Sequence, residues 1–326
     1  MNTYGWTRRA MLAAATATLA FSGMAKADQM MDQVHFLIPG GAGGGWDGTA
    51  RGTGEALVNA GLVGSATYEN LSGGGGGVAI ASLIENAASS DGTLMVNSTP
   101  IVIRALTGEI SQSFRDLTPV AGTVGDYAAI VVTADSPITS MADALAMYRA
   151  DGMDFAIGGG SVPGGMDHLV AAIVMQAAGE DPTAFNYIGY DAGGEAMAGL
   201  LSGEIDALST GFSEAIALSD QGVVRILGVT APERVPASAD TPTFAEQGID
   251  AQFVNWRGFF AAPGMDAAKV QAYQDLLAAM LDTPEWEAVR ASMGLVNIYR
   301  PGAEFIEFLE AQETLLGDLM RELGFL

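Results

Sequence analysis

The stretch FLIPGGAGGGWDGTAR, Phe36–Arg51, holds six glycines and runs from an apolar strand through a loop into a helix expected from about Asp47. Glycine tolerates positive φ and leaves backbone N–H groups open to a ligand. Asp47 is placed to cap the helix, and Arg51 follows one turn later, a natural spacing for an ion pair. The same grammar of strand, small-residue loop and helix returns at NLSGGGGGVAI (70–80), NSTPIVI (97–103), IGGGSVPGGMDHL (157–169) and YDAGGEAMAGLLSGEIDAL (190–208). Five such junctions describe a chain that presents backbone donors at the carboxyl ends of strands.

Between the junctions the period alternates between strand and helix. VHFLI, ATYEN and TLMVN read as strands, with helices from Asp47, after the glycine run and near Ile101–Leu106. The rhythm resumes with MDFAIG, FNYIGY, IDALST and VRILGV, separated by helices expected over 165–178, 193–202 and 213–220. Repeated βαβ units predict parallel sheets covered by helices, here an α/β protein of two units. Two extended stretches, LTPVAGTVGDYAAIVVT (117–133) and AQFVNWRGFFAAPG (251–264), are expected to cross between the units. The remaining helices, near 266–281, 284–292 and 303–322, and the short strand LVNIY would return to the first unit. The expected division is lobe 1 from residues 28–122 and 256–326, and lobe 2 from 123–255, with a ligand cleft between them.

The first residues read as an export signal. Arg8 and Arg9 precede an apolar run from Met11 to Phe21, and a small-residue site follows at Ala25–Ala27. The run is too short to span a bilayer. The paired arginines point to the route that exports folded proteins, and they also suit a general secretory signal.

Formal net charge is −24, from 14 basic and 38 acidic residues, and the first 27 residues hold three of the basic ones and no acid. Lys269 is the one lysine beyond them. Nucleic acid is excluded as a partner, because phosphate backbones need clustered cations. An anionic ligand would have to be held by local N–H groups and helix N-termini. With no cysteine and only His35 and His168, neither a disulfide framework nor a metal site is expected. Gly43, Gly45 and Gly48 form a G-x-G-x-x-G, with Glu69 at the end of the next strand, which keeps a dinucleotide-binding oxidoreductase as an alternative. An enzyme reading would use Ser161 as nucleophile near Asp167 and His168, but Pro163 breaks the G-x-S-x-G elbow. His168 is expected to satisfy local backbone at the start of its helix.

In this order the motifs resemble the substrate-binding receptors of tripartite tricarboxylate transporters, the TctC or Bug type. The resemblance is carried by the Phe36–Arg51 segment, the glycine tract after Asn70, SSDGT (89–93), YIGYDAGGEAMAGLLSGEIDAL (187–208), LGVTAPERVP (227–236), DTPTFAEQGI (240–249) and NWRGFFAAPG (255–264). GGGWDGTAR and NWRGFFAAPG are closer to the tricarboxylate-binding branch. The resemblance implies a two-lobed periplasmic binding protein of the Venus-flytrap, type II-like form, with two crossing strands at its hinge. It would act as a non-catalytic monomer without cofactor, capturing a small carboxylate in the periplasm for the membrane components of the transporter. It also implies the ligand-binding residues. Lobe 1 would supply Gly41, Trp46, Asp47, Ser98 and Thr99. Lobe 2 would supply Gly160, Ser161, Gly164, Gly165, Asp191, Gly193 and Gly194. Relatives often carry a hydroxyl residue where this chain has Met166.

Several residues keep two readings. Asp47 serves as helix cap or bridges to ligand through water. Trp46 packs the loop base or lines the cleft. Gly73–Gly77 allow tight packing or touch ligand. Arg104 reaches a distal carboxylate or forms a surface ion pair, and Arg257 forms a hinge salt bridge.

Overall fold

The structure, a computed structural model, describes residues 29–326; the expected export segment, 1–27, lies outside the described residues. In β1 (Met31–Ile38), Val34, Phe36 and Ile38 alternate onto one buried face, and Leu37 is buried on the other. A parallel strand covered on both sides needs this pattern. Helix α1 (Gly45–Asn59) buries Ala50, Thr53, Gly54 and Leu57, spaced to form one helical stripe. It is followed by β2 (Val63–Asn70), α2 (Gly77–Glu85), β3 (Thr93–Ser98) and α3 (Pro100–Thr107). Both β2 and β3 lie parallel to β1.

Strand β4 (Thr118–Thr133) leads into α4 (Met141–Asp151), β5 (Ala156–Gly159), α5 (Met166–Ala177), β6 (Asn186–Gly189), α6 (Gly193–Ser202), β7 (Ala207–Gly211), α7 (Phe212–Asp220) and β8 (Val224–Val229). The chain then passes to β9 (Val254–Ala261), α8 (Ala267–Leu281), α9 (Pro284–Ser292), β10 (Val296–Pro301) and α10 (Gly302–Glu322). Helix α4 is not among the expected helices. Its buried side is confined to Met141, Ala144 and Leu145, too few apolar positions to make a legible stripe.

Strand β4 joins the two sheets. Its residues Thr118–Tyr127 pair antiparallel with β9, and Gly125–Ala121 pair with β10. From Ala128 onward its partners are β7 and β8. Beyond β7 the second sheet continues through parallel β5 and β6. Strand β9 pairs β3 and β4 in the first sheet only. It is anchored to the second sheet just before it begins, where Phe253 N–H donates to Thr230 O at 3.3 Å.

Helices α1, α8 and α9 cover one face of the first sheet with Leu57, Tyr273, Leu277, Met280 and Trp286. The opposite face packs on α2, α3 and α10. That core runs without interruption into α4 and α5 through Trp256, Phe305, Leu316 and Met320. Phe325, just past α10, lies edge-on to His168 of α5 at 4.7 Å between ring centroids. The C-terminal helix and the residues after it thus bridge the first sheet and α5. No helix among the described residues is long and apolar enough to cross a membrane.

Candidate functional site

The carboxyl ends of β1, β3, β5 and β7 face a cavity of about 440 Å³, a size suited to a small organic molecule. One wall is formed by Gly40–Gly41, Gly44–Trp46, Ser72–Gly76, Ser98 and Arg104. The other is formed by Gly160–Val162, Gly165–Asp167, Tyr190–Gly193, Glu195, Gly211 and Glu214. The walls meet at glycines. A Cβ added to Gly41 would lie 3.7 Å from Ala192 Cβ, and one on Gly44 would lie 3.7 Å from a Glu214 carboxylate oxygen.

Of the residues implied by the resemblance, Gly41, Trp46, Ser98, Gly160, Ser161, Gly165, Asp191 and Gly193 line this cavity, whereas Asp47, Thr99, Gly164 and Gly194 do not. Asp47 is not the helix cap. Gly44 and Gly45 start α1 two residues earlier than expected, so Asp47 sits in the first turn. There its carboxylate accepts from Gly43 N at 3.0 Å, Arg51 Nε at 2.8 Å and Asn70 Nδ2 at 3.0 Å. Burial alone would raise its pKa, but these three donors outweigh burial and hold the carboxyl below the usual range. Its role is to pin the glycine loop. Gly164 adopts φ +83° and donates its N–H to His168 Nδ1 at 2.9 Å.

Trp46 packs the loop and lines the cavity together. A Cβ on Gly40 would touch its ring at 3.0 Å, and its Nε1 donates to Ser98 Oγ at 2.8 Å. Because Ser98 Oγ accepts there, its own proton is free to point elsewhere. Ser161 works similarly. Its Oγ accepts from Asp167 N at 3.0 Å and so supplies the cap that Met166 and Gly165 cannot. Tyr187 O–H donates to the Ser161 carbonyl at 2.8 Å, so in the 3.3 Å contact between the two hydroxyls Ser161 is the donor. Ser161 therefore also supports local structure, which the sequence did not suggest. The nucleophile reading lacks its base: His168 is stacked on Tyr187 at 4.2 Å, accepts from Gly164, and is held to a pKa of about 4 by burial. Glu69, the acid of the dinucleotide alternative, lies 3.6 Å from His35 and off the cavity wall.

Sequence reading missed Ser72, Asp167, Tyr190 and Glu214 as cavity residues. Asp167 is buried at the start of α5. Burial first, and the nearby Glu214 charge second, push its pKa up to about 8 despite a backbone N–H bond from Gly160. A carboxyl group in this state stays protonated at neutral pH and donates a hydrogen bond without repelling an anion. The unfolded chain ionises near pH 4 and the folded one near pH 8, so stability carried by this proton is lost as pH rises through that window. Relative to wild type, Asp167→Asn is expected to gain in melting temperature from pH 4 to pH 8 and then level off. Thermal melts across this range check it, and a difference independent of pH would show an ionised Asp167.

A two-sheet α/β frame joined by a shared strand, with glycine and hydroxyl loops on both sides of a cleft, is the form of a solute-binding receptor. The chain belongs to the tripartite tricarboxylate transporter receptor family, whose pattern matches residues 58–325. A Cupriavidus necator relative known as the UPF0065 protein in the gbd 5′ region is 28% identical over 94% of this chain and 93% of its own. Among solved structures, the periplasmic binding protein BugD superposes with a TM-score of 0.79 at 20% identity, over 90% of this chain and 98% of its own. MatC from Rhodopseudomonas palustris with bound malate gives 0.76 at 20% identity, over 89% and 98%. An R. palustris protein with adipate gives 0.79 at 22% identity, over 90% and 97%.

Proposed function

We propose that this protein is exported to the periplasm by its first 27 residues and acts there as a monomeric receptor. It captures a small di- or tricarboxylate in the cleft and hands it to the membrane components of a tripartite tricarboxylate transporter, without chemistry on the ligand. One observation carries the reading: Ser98 and Ser161, from junctions on the two sheets, line one cavity and each accept a hydrogen bond from the protein, and Ser98 keeps its proton to donate. The glycine loops beside them add backbone N–H groups, which bind anions whatever the net charge. The malate and adipate held by two proteins of the same fold agree with this ligand class. The proposed lobes are 28–122 with 256–326, and 123–255. Their hinge is the pair of crossing segments, 117–133 and 251–264, and closure around the ligand excludes water and strengthens each bond.

Small di- and tricarboxylates are expected to raise the melting temperature of the ligand-free protein, whereas amines, sugars and nicotinamide dinucleotides leave it unchanged. A ligand at a hundred times its Kd adds about 2.7 kcal/mol to folding stability. A thermal-shift screen decides the matter. A rise with NAD or a sugar and none with any carboxylate would overturn the receptor reading.

A further inference from the structure

We propose that Arg104 is the specificity-determining residue of a second anion subsite, so that the preferred ligand carries an acidic group at each end. This rests on the carboxylate-receptor reading and adds a residue to it. Two cationic side chains line the cavity, Arg104 and Arg257. Arg257 is committed elsewhere: its Nη2 donates to Asp126 and its Nη1 to Thr49 Oγ1 at 2.9 Å. Arg104 is differently placed. It is 6% exposed, and its one ion pair runs from Nη1 to Glu109 at 2.6 Å. Its Nε is buried without a partner, as is that of Arg257, but both Nη groups of Arg257 are bonded, whereas among the described residues Arg104 Nη2 has no hydrogen-bond acceptor. A surface ion pair is therefore ruled out by burial. The guanidinium keeps an edge of N–H groups that no protein atom satisfies, in a wall of the ligand cavity.

The glycine tract explains how it gets there. Gly73, Gly74, Gly75 and Gly76 all have positive φ, a run that side-chain-bearing residues do not adopt. A Cβ on Gly75 would fall 1.7 Å from Arg104 Cζ. The loop bends around the guanidinium plane, and only a bare α-carbon fits against it. This is a costly way to hold an arginine whose purpose is a single bond to a Glu109 side chain that is itself one-third exposed. An unpaired buried N–H edge seeks an acceptor, and a planar fork matches the two oxygens of a carboxylate. Elsewhere the cavity wall carries Asp191, Glu195 and Glu214, so the Arg104 edge is where a second negative group meets attraction. The first group would lie on the Ser98 and Ser161 hydroxyls.

Titration calorimetry of the mature protein with adipate, its monomethyl ester and hexanoate tests this. Wild type is expected to bind the diacid at least about tenfold more tightly than either monoacid. Arg104→Gln is expected to lose about tenfold to a hundredfold for the diacid and little for the monoacids, so the preference collapses. Glu109→Gln, which frees Nη1 and leaves the guanidinium in place, is expected to keep or widen the preference. Equal losses for diacid and monoacids in Arg104→Gln would overturn the subsite, as would loss of the preference in Glu109→Gln. A wild type that binds diacid and monoacid equally refutes the subsite alone. A wild type that binds no carboxylic acid in this or a wider screen refutes the receptor reading with it.

Discussion

Arg257→Met is expected to destabilise the folded protein by about 3–5 kcal/mol, the cost of leaving a buried charge without its partner. For a chain of this size the melting temperature would fall by about 5–8 °C. Asp126 is fully buried in β4, where it receives Arg257 Nη2, Ser213 N at 3.1 Å and Ser213 Oγ at 2.7 Å. Burial pushes its carboxyl above the ordinary range, against the pull of the guanidinium and the Ser213 bonds. Arg257, on β9, also reaches Thr49 in α1, while Ser213 belongs to α7. One ion pair thus ties α1 and α7, helices on the two sheets, to β4 and β9. The pair is too dry to be bridged by solvent, so removing either half strands the other. The double variant Asp126→Leu, Arg257→Met is expected to recover most of the loss, because apolar side chains carry no desolvation cost. Denaturant melts of the two single variants and the double variant measure this. Single variants within about 1 kcal/mol of wild type would show that the pair is solvated or dispensable.

Gly160→Val is expected to abolish ligand binding by about a hundredfold or more while costing about 1–3 kcal/mol in stability. A Cβ at Gly160 would fall 2.4 Å from the Gly193 nitrogen and 2.8 Å from the Ala192 carbonyl carbon. Both are backbone atoms at the start of α6, so no side chain can rotate away, and the two loops must separate. These loops, Gly160–Gly165 and Asp191–Gly193, form the second wall of the cavity. Forcing them apart displaces the N–H donors by more than a hydrogen bond tolerates. Calorimetry with a diacid that binds wild type, together with circular dichroism, separates the two effects. Retained affinity in a folded Gly160→Val would mean that this wall does not touch the ligand.

The reading of Gly160 shows what was legible beforehand. Its loop follows a short strand and opens a helix, and that local order is visible in IGGGSVPGGMDHL. The same holds for Phe36–Arg51, whose glycine loop and helix fall within a residue or two of expectation. Arg104 was legible only as a candidate. Its position after Ser98 and Thr99 could be read, but its burial depends on the Gly75 backbone from a different junction. Glu214 gave no signal, because an acid in the first turn of α7 reads as ordinary helix chemistry.

The sequence by itself determined the succession of strands and helices apart from α4, the glycine junctions at strand ends and the family, because each is written in short-range spacing and turn chemistry. Tertiary structure alone decided which side chains share a site. Asp126 and Arg257 stand 131 residues apart and meet only because β4 and β9 pair in one register. Burial at the start of α5 and the charge of Glu214, 47 residues further on, raise the Asp167 pKa together. Pairing and desolvation are properties of the packed whole, since both depend on what surrounds a group in space and not on its neighbours along the chain.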